Sequence, residues 1–573
     1  MTKGTKRALL IVGVIVGALV AIAYTVRLSN QPSRGSVLEM VLNEDIPEYV
    51  PIDGLSQILG GRKLTMRDYV EALRLARDDR RINGLLVAID GPGVGSARLQ
   101  ELRDAIVDFQ SGGKKWAVAY LETAGEFSPG NRDYYLATAC GSIWLAPPGD
   151  VNLTGLRAEV SFVRGTLDKL GIVPDFDHIG KYKNAMNTIT DTAMNDAYRE
   201  SLDALVKSVY GQVKEGMAGG RRMSGEQMTA LIDGGPHIGP TALRAKLVDS
   251  LGYRDELEEH LKSKNGGSLP LIKVGRYLKS GRFYDRGPKI ALIYGLGGVS
   301  RGESEINPLT GENTMGSDTI AAAFKKARED SSIRAIVFRV DSPGGSYIAS
   351  DVIYHEVMLT RGRKPLVVSM GDLAGSGGYF VAMGADKIVA EPSTITASIG
   401  VLAGKLVTTG FWNKVGITFD AVQRGAHATF FSTSAKYTPE ERAIFEAWLE
   451  RIYKDFVTKA AKGRNKTFDQ IHAVAQGRIW SGEDALRLGL IDELGGLTTA
   501  IRRALVMADC DPDGRAQLVV MPEAKSLVSQ VFRGEDTRTP FASLERHLRR
   551  LIEEGPSPIA DGVLSMPFIP VLR

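Results

Sequence analysis

Only two cysteines, Cys140 and Cys510, occur in 573 residues, so neither a disulfide scaffold nor a cysteine-rich zinc module is available to this chain. Seven histidines are scattered from His178 to His547 without an H-E-x-x-H or other dense metal motif. A strong charge of one sign is also missing. Lys plus Arg number 71 against 67 Asp plus Glu, a formal net charge of +4 that excludes an electrostatic device for nucleic acid. The turn Asp90-Gly91-Pro92-Gly93-Val94-Gly95 lacks the Lys-Ser/Thr ending of a phosphate loop. What is present is 43% hydrophobic and 24% charged residues, a globular composition long enough for several domains.

Long uncharged runs are scarce, with one exception. Lys3, Lys6 and Arg7 precede Ala8 to Val26, which carries no charge. At about 1.5 Å per residue, a helix of this length nearly crosses a hydrocarbon core of about 30 Å. The flanking basic residues predict a cytoplasmic segment 1–7, a transmembrane signal anchor 8–26 and a translocated body. Ala21-Ile22-Ala23 leaves a cleaved signal peptide as the rival, but the run exceeds the usual apolar region of about 7–15 residues.

The body is written twice. Residues 130–183 lie on residues 375–428 without a gap, and thirteen of those 54 columns are identical, among them Gly130/Gly375, Tyr134/Tyr379, Gly155/Gly400 and Gly180/Gly425. Asp90-Gly91-Pro92-Gly93 follows the apolar run Gly84 to Ile89, as Asp341-Ser342-Pro343-Gly344-Gly345 follows Ala335 to Val340. Each pair reads as a buried strand, a Gly-rich turn and a helix. Two α/β repeats are expected over 36–260 and 289–522, joined by a linker over 261–288. A tail over 523–573 follows, in which Leu544, Leu548, Leu551 and Ile552 predict an amphipathic packing or assembly helix.

The chemistry is sought where the copies disagree. Ser376, in Ala374-Gly375-Ser376-Gly377-Gly378-Tyr379, stands between an apolar strand, Leu366 to Ser369, and a helix of small residues reaching Ala385. A serine there sits beside unpaired backbone N–H groups that can hold an oxyanion, with a further donor from Gly344 or Gly345. The same small residues would also serve tight packing alone. In the first copy the serine column holds Asn131, and the next two glycines become Arg132 and Asp133. Conversely, Gly180-Lys181-Tyr182-Lys183 lies on Gly425-Ala426-His427-Ala428. A composite site, serine from one repeat and lysine from the other, explains both losses. Lysine acts as a base only when neutral, so the site must be dry enough to lower its pKa from about 10.4. Either Lys183 or Lys181 fits the spacing. Ser398, whose counterpart is Leu153, is placed to orient the amine. A Ser-His-Asp triad recruiting His355 or His427 would leave the reciprocal loss unexplained.

At these residues the chain resembles the signal peptide peptidase A family in its long, two-domain form. The resemblance rests on D-S-P-G-G at 341–345, A-G-S-G-G-Y at 374–379, T-A-S-I-G at 396–400, G-K-Y-K-N-A at 180–185 and R-I-W-S-G-E-D-A-L-R-L-G-L-I-D at 478–492. Asn184 departs from the small serine often seen after the lysine. The resemblance implies an α/β fold of two tandem ClpP/crotonase-like domains behind one amino-terminal transmembrane helix. It implies a Ser-Lys dyad with Ser376 as nucleophile, Lys183 as base and Ser398 supporting the lysine, and oxyanion donors from Gly377 and the Gly344-Gly345 turn. No cofactor, metal or nucleic acid is implied. Substrates would be signal peptides left in the membrane and other unfolded or membrane-associated peptides. The assembly would be a homotetramer at the bacterial inner membrane, its catalytic body on the periplasmic side. A crotonase-type acyl-CoA enzyme, the nearest rival, requires a catalytic carboxylate instead, and an inactive scaffold has no need of complementary residues.

Overall fold

The computed structural model describes residues 31–50, 63–280, 287–305, 313–522 and 563–565. The expected membrane segment 8–26 and the tail helix around 544–552 lie outside the described residues, among which no helix is long and apolar enough to cross a membrane.

Near-continuous apolar runs become strands covered on both faces. Along Lys289–Leu296, Ile290, Leu292 and Tyr294 pack with the helix Leu497–Met507, while Ala291 and Ile293 pack with Ser317–Glu329 and Tyr347–Thr360. The alternation follows from the two-residue repeat of a strand. The first repeat's sheet runs Ser250–Leu251, Ser142–Leu145, Trp116–Leu121, Ile82–Ile89, Ser36–Leu42, Leu271–Lys273, parallel throughout. The second repeat has the same order in Glu493–Leu494, Lys387–Ala390, Leu366–Gly375, Ile333–Ser342, Lys289–Leu296 and Gln517–Met521, also parallel. Duplication of sequence is thus duplication of fold.

Two segments differ from expectation. The strand expected to end at Ser369 continues to Gly375, because Leu373, Ala374 and Gly375 pair with Ile395–Ala397, and the helix after Ser376 ends at Ala382. Within 261–288, Leu271–Lys273 lies on Ser36–Leu42 and the helix Val274–Lys279 follows, so part of that stretch completes the first sheet.

One pairing positions the site. Val173–Ile179 of the first repeat runs antiparallel to Val401–Val407 of the second, with Ile179 opposite Val401. A smaller sheet joins Thr314–Gly316, Gly298–Ser300, Gly344–Gly345 and Leu564–Ser565 beside it.

Candidate active site

Ser376 ends the strand Leu366–Gly375 at φ 52° and ψ −114°, a backbone conformation that L-residues rarely adopt. Such a residue costs about 1–3 kcal/mol and persists only where its surroundings over-determine it. Here the Ser376 amide donates to the Ala397 carbonyl at 2.7 Å and its carbonyl accepts from Phe380 at 2.8 Å. A Cβ on Gly378 would lie 2.6 Å from the Ser342 carbonyl oxygen, so that glycine allows the following turn to seat against the neighbouring strand. Ala397 and Ser398 also have positive φ, 66° and 51°. The side chain of Ser376 is wholly buried.

Lys183 arrives from the other repeat. Beyond Ile179 the chain turns at Gly180, and the Tyr182 amide donates to the Gln476 carbonyl at 2.7 Å. Gly477 donates to Ile399 at 2.7 Å, so the loop 180–183 and the T-A-S-I-G segment share one neighbour. The approach demands glycine: at φ 80°, a Cβ on Gly477 would fall 2.5 Å from the Lys183 Cα. Arg478 clamps the outside of the loop, its guanidinium 4.9 Å from the Tyr182 ring centroid, 4.3 Å from that of Trp480 and 2.7 Å from a Glu200 oxygen.

The Lys183 Nζ lies 2.8 Å from Ser376 Oγ, 3.1 Å from Ser398 Oγ and 3.1 Å from the Ser398 carbonyl oxygen. Lys183 and both serines are fully buried. With no carboxylate to offset it, burial holds the lysine amine well below its ordinary pKa. A neutral amine has two N–H bonds and one lone pair. The Ser398 carbonyl can only accept one N–H, and the Ser398 hydroxyl, directed at the Gly477 carbonyl at 3.5 Å, accepts the other. The lone pair is left for the Ser376 O–H. This is the proton arrangement that a nucleophilic hydroxyl requires.

Gly377 opens the helix Gly377–Ala382, so its amide has no intrahelical acceptor. A Cβ built on it would lie 3.0 Å from the Gly345 nitrogen. The Gly344 amide instead points to Ser342 Oγ at 3.2 Å. Gly344, Gly345 and Gly377 are thus packed against one another at this turn, with the Gly344 amide already engaged by Ser342.

The other candidates lie elsewhere. Lys181 is 59% exposed and sits 3.6 Å from Glu200. His355 and His427 are exposed. Asn131, in the serine column of the first repeat, accepts from the Thr154 amide at 3.1 Å and donates to the Gly155 carbonyl at 2.9 Å. In the first repeat this position stitches two loops together.

The inter-repeat ribbon, Gly477 and a clamp between the repeats were not legible in the sequence. In that clamp the Asp372 carboxylate accepts from the amides of Gly95 and Arg98, each at 3.0 Å, and from the Arg98 guanidinium. Its acceptors sit at the start of the helix Ser96–Gln110, where free amides and the helix dipole favour an anion. Deeper in the interface, Arg339 is buried against Glu48 and Glu101 at 2.6 and 2.8 Å. The signal available in sequence was Asp372 itself, a charge four residues before the serine in an otherwise apolar strand.

The sequence pattern of Peptidase family S49 matches residues 122–267 and 359–511, once in each repeat. The chain is 30% identical over 535 residues to the chloroplastic serine protease SPPA of Arabidopsis thaliana, covering 91% of this chain and 76% of that one. It is 33% identical over 460 residues to Protease 4 of Salmonella typhi, covering 77% and 72%. Among solved structures, a ClpP1 mutant from Listeria monocytogenes is similar over 36% of this chain and 91% of its own, at 14% identity and a TM-score of 0.23. These sequence relationships make the protein a serine peptidase. It belongs to peptidase family S49.

Proposed function

We propose that the protein is a membrane-anchored endopeptidase that uses a Ser376–Lys183 dyad to degrade signal peptides left in the membrane and other unfolded or membrane-associated peptides. The observation that carries this reading is the 2.8 Å contact between two fully buried side chains, each supplied by the repeat whose sibling lacks it. The repeat 36–260 supplies the base and the repeat 289–522 the nucleophile. Ser376 Oγ attacks the scissile carbonyl as Lys183 takes its proton, and Gly345 and Gly377 hold the developing oxyanion. The ammonium then protonates the leaving amine, and the neutral lysine activates water to release the acyl group. Ser398 holds the amine in line throughout.

The body stands at the periplasmic face of the inner membrane, held by the anchor 8–26, and assembles as a homotetramer. Exposed Phe419 and Val422, in the columns of the first repeat's ribbon strand, support contact with a second copy. The test is labelling by a serine-directed fluorophosphonate together with peptide hydrolysis. Wild type reacts and hydrolyses, while Ser376→Ala does neither and Lys183→Ala loses hydrolysis. Full hydrolysis by either variant overturns the dyad.

A further inference from the structure

The two repeats enclose a cavity of about 270 Å³, none of whose lining residues belongs to the candidate active site. One wall comes from the helices Met66–Asp78 and Ser96–Gln110 of the first repeat. The other comes from the helix Leu497–Met507 of the second repeat, the loop and strand that follow it, and Glu391. Val70, Ala105, Ile501, Leu505 and Leu518 give the lining its apolar patches. The volume lies just below the range of about 300–1,000 Å³ usual for small-molecule sites, which limits an occupant to a short chain of atoms.

The lining holds more carboxylates than it neutralises. Its arginines are each matched, Arg74 to Glu71 at 2.7 Å, Arg77 to Asp108 at 2.8 Å and Arg502 to Asp513 at 2.9 Å. Glu101 accepts from Arg339 at 2.8 Å and from the Leu497 amide at 2.6 Å. Arg103, beside Asp104 in the chain, is directed instead to the Tyr135 and Gly216 carbonyls and the Thr138 hydroxyl. Two carboxylates remain. Asp104 is exposed and has no hydrogen bond or ion pair among the described residues. Glu391 is 2% exposed, and its Oε2 has no hydrogen-bond partner among the described residues. Burial first, then the carboxylates of Asp104 and Glu101, hold its pKa well above the ordinary value, and Arg339 offsets them only in part. A buried carboxylate without a partner is neutralised by a proton or by a cation.

We propose that this cavity binds a small aliphatic diamine, one ammonium against Glu391, the other toward Asp104, and the methylene chain along the apolar patches. The inference does not rest on the dyad. Two ammonium groups match two unneutralised carboxylates, and a short hydrocarbon chain matches the volume and the lining. A divalent metal fits less well, because among the described residues no three carboxylate, histidine or cysteine side chains are grouped to hold one. Since the walls come from both repeats, the occupant cross-links them. Binding displaces the proton of Glu391: the carboxyl O–H bond breaks, the proton passes to solvent, and the carboxylate pairs with the ammonium. Affinity therefore rises with pH for as long as the amines, like a lysine side chain at about 10.4, stay protonated. The charges that bear on Glu391 are Asp104 and Glu101 on one helix and Arg339 on the strand Ile333–Ser342, and those farther round the lining are the ion pairs already named.

The test uses the full-length chain with 1,4-diaminobutane as the probe, read by titration calorimetry and by melting temperature. Wild type is expected to bind the diamine, to release protons on binding when buffers of different ionisation enthalpy are compared, and to melt higher as diamine is added. Glu391→Gln keeps the shape of the side chain and removes its charge, so it should weaken binding by about 30-fold or more. Asp104→Asn, at an exposed position, should weaken it by about fivefold at most. Butylamine, with a single ammonium, should bind less tightly than the diamine. Absence of binding to wild type, binding without proton release, or wild-type affinity in Glu391→Gln overturns the proposal. The proton release is read on wild type and needs no variant to fold. An equal rise in melting temperature with magnesium chloride at the same ionic strength also overturns it, as does tighter binding of a blocked Gly-Lys-Gly peptide, which would place the ammonium on a peptide side chain. Peptide hydrolysis by a wild type that binds no diamine overturns the site and leaves the dyad standing.

Discussion

Val401 of the second repeat stands opposite Ile179 of the first, and this pair sets where Lys183 meets Ser398. Ser398 lies three residues before Val401, and Lys183 four residues after Ile179. Two short chain segments leaving one ribbon therefore converge on the same point, and the contact between Lys183 and Ser376 is as well placed as the ribbon register. A one-residue slip would turn every side chain of a strand to its other face, so the register is held by the whole seven-residue pairing.

Gly477→Ala tests that convergence without touching a reacting group. The new methyl group collides with the Lys183 backbone, and the positive φ disfavours alanine. A displacement of about 1 Å at the amine is expected to lower kcat by about 100-fold. Fluorophosphonate labelling should fall with it, while melting temperature moves by only a few degrees. Wild-type kcat in a folded Gly477→Ala would separate Lys183 placement from activity.

Lys183→Met links the buried amine to stability. Because burial depresses the lysine pKa, the folded chain binds fewer protons than the unfolded one at pH values between that depressed pKa and the ordinary one. Stability of the wild type therefore rises with pH across this window. Methionine removes the liability, so the variant should melt several degrees higher near neutral pH, with the difference shrinking as pH approaches about 10.4. Peptide hydrolysis by wild type should fall on the acid side as the amine becomes protonated. A stability difference that is flat with pH would contradict a depressed lysine.

Ser398→Ala leaves the backbone carbonyl in place and removes one of the three contacts of the amine. Hydrogen bonds to charged groups contribute about 1.5–3 kcal/mol, which corresponds to a loss of about 10- to 100-fold in kcat with KM little changed. The lost acceptor stabilised the ammonium, so the acid limb of the rate profile should move to lower pH. A shift to higher pH would contradict the assigned proton arrangement.

Duplication was legible in the sequence because both repeats need glycine at the same turns and apolar runs in the same sheet positions. The meeting of serine and lysine was legible because each column pair differs in only one copy. The ribbon was not. Val173–Ile179 is matched in sequence with residues 418–424, which are exposed and outside any strand in the second repeat. Equivalent segments have different fates because the partner of the first lies in the second repeat, which a comparison of columns cannot express. The strand Leu564–Ser565 carried no signal for a related reason: a two-residue strand has no periodicity, and Leu564 is placed by the second repeat's core in which it is buried.

Asp372→Asn probes another link between the repeats. The carboxylate receives two amides and a guanidinium from the first repeat, and it sits four residues before Ser376. Its side chain is 19% exposed, so solvent screens part of the interaction with Arg98. A loss of about 1–2 kcal/mol in stability is expected from weakening charge-assisted hydrogen bonds while keeping the shape of the side chain. Catalysis should suffer more than stability, because the strand that carries the serine loses its anchor on the repeat that carries the lysine. The measurement is kcat/KM against melting temperature for Asp372→Asn and Arg98→Lys, separately and combined. Since the Arg98 guanidinium makes one of the three contacts of Asp372, the double variant should lose less than the sum of the two single losses. Fully additive losses would place the two residues in independent roles.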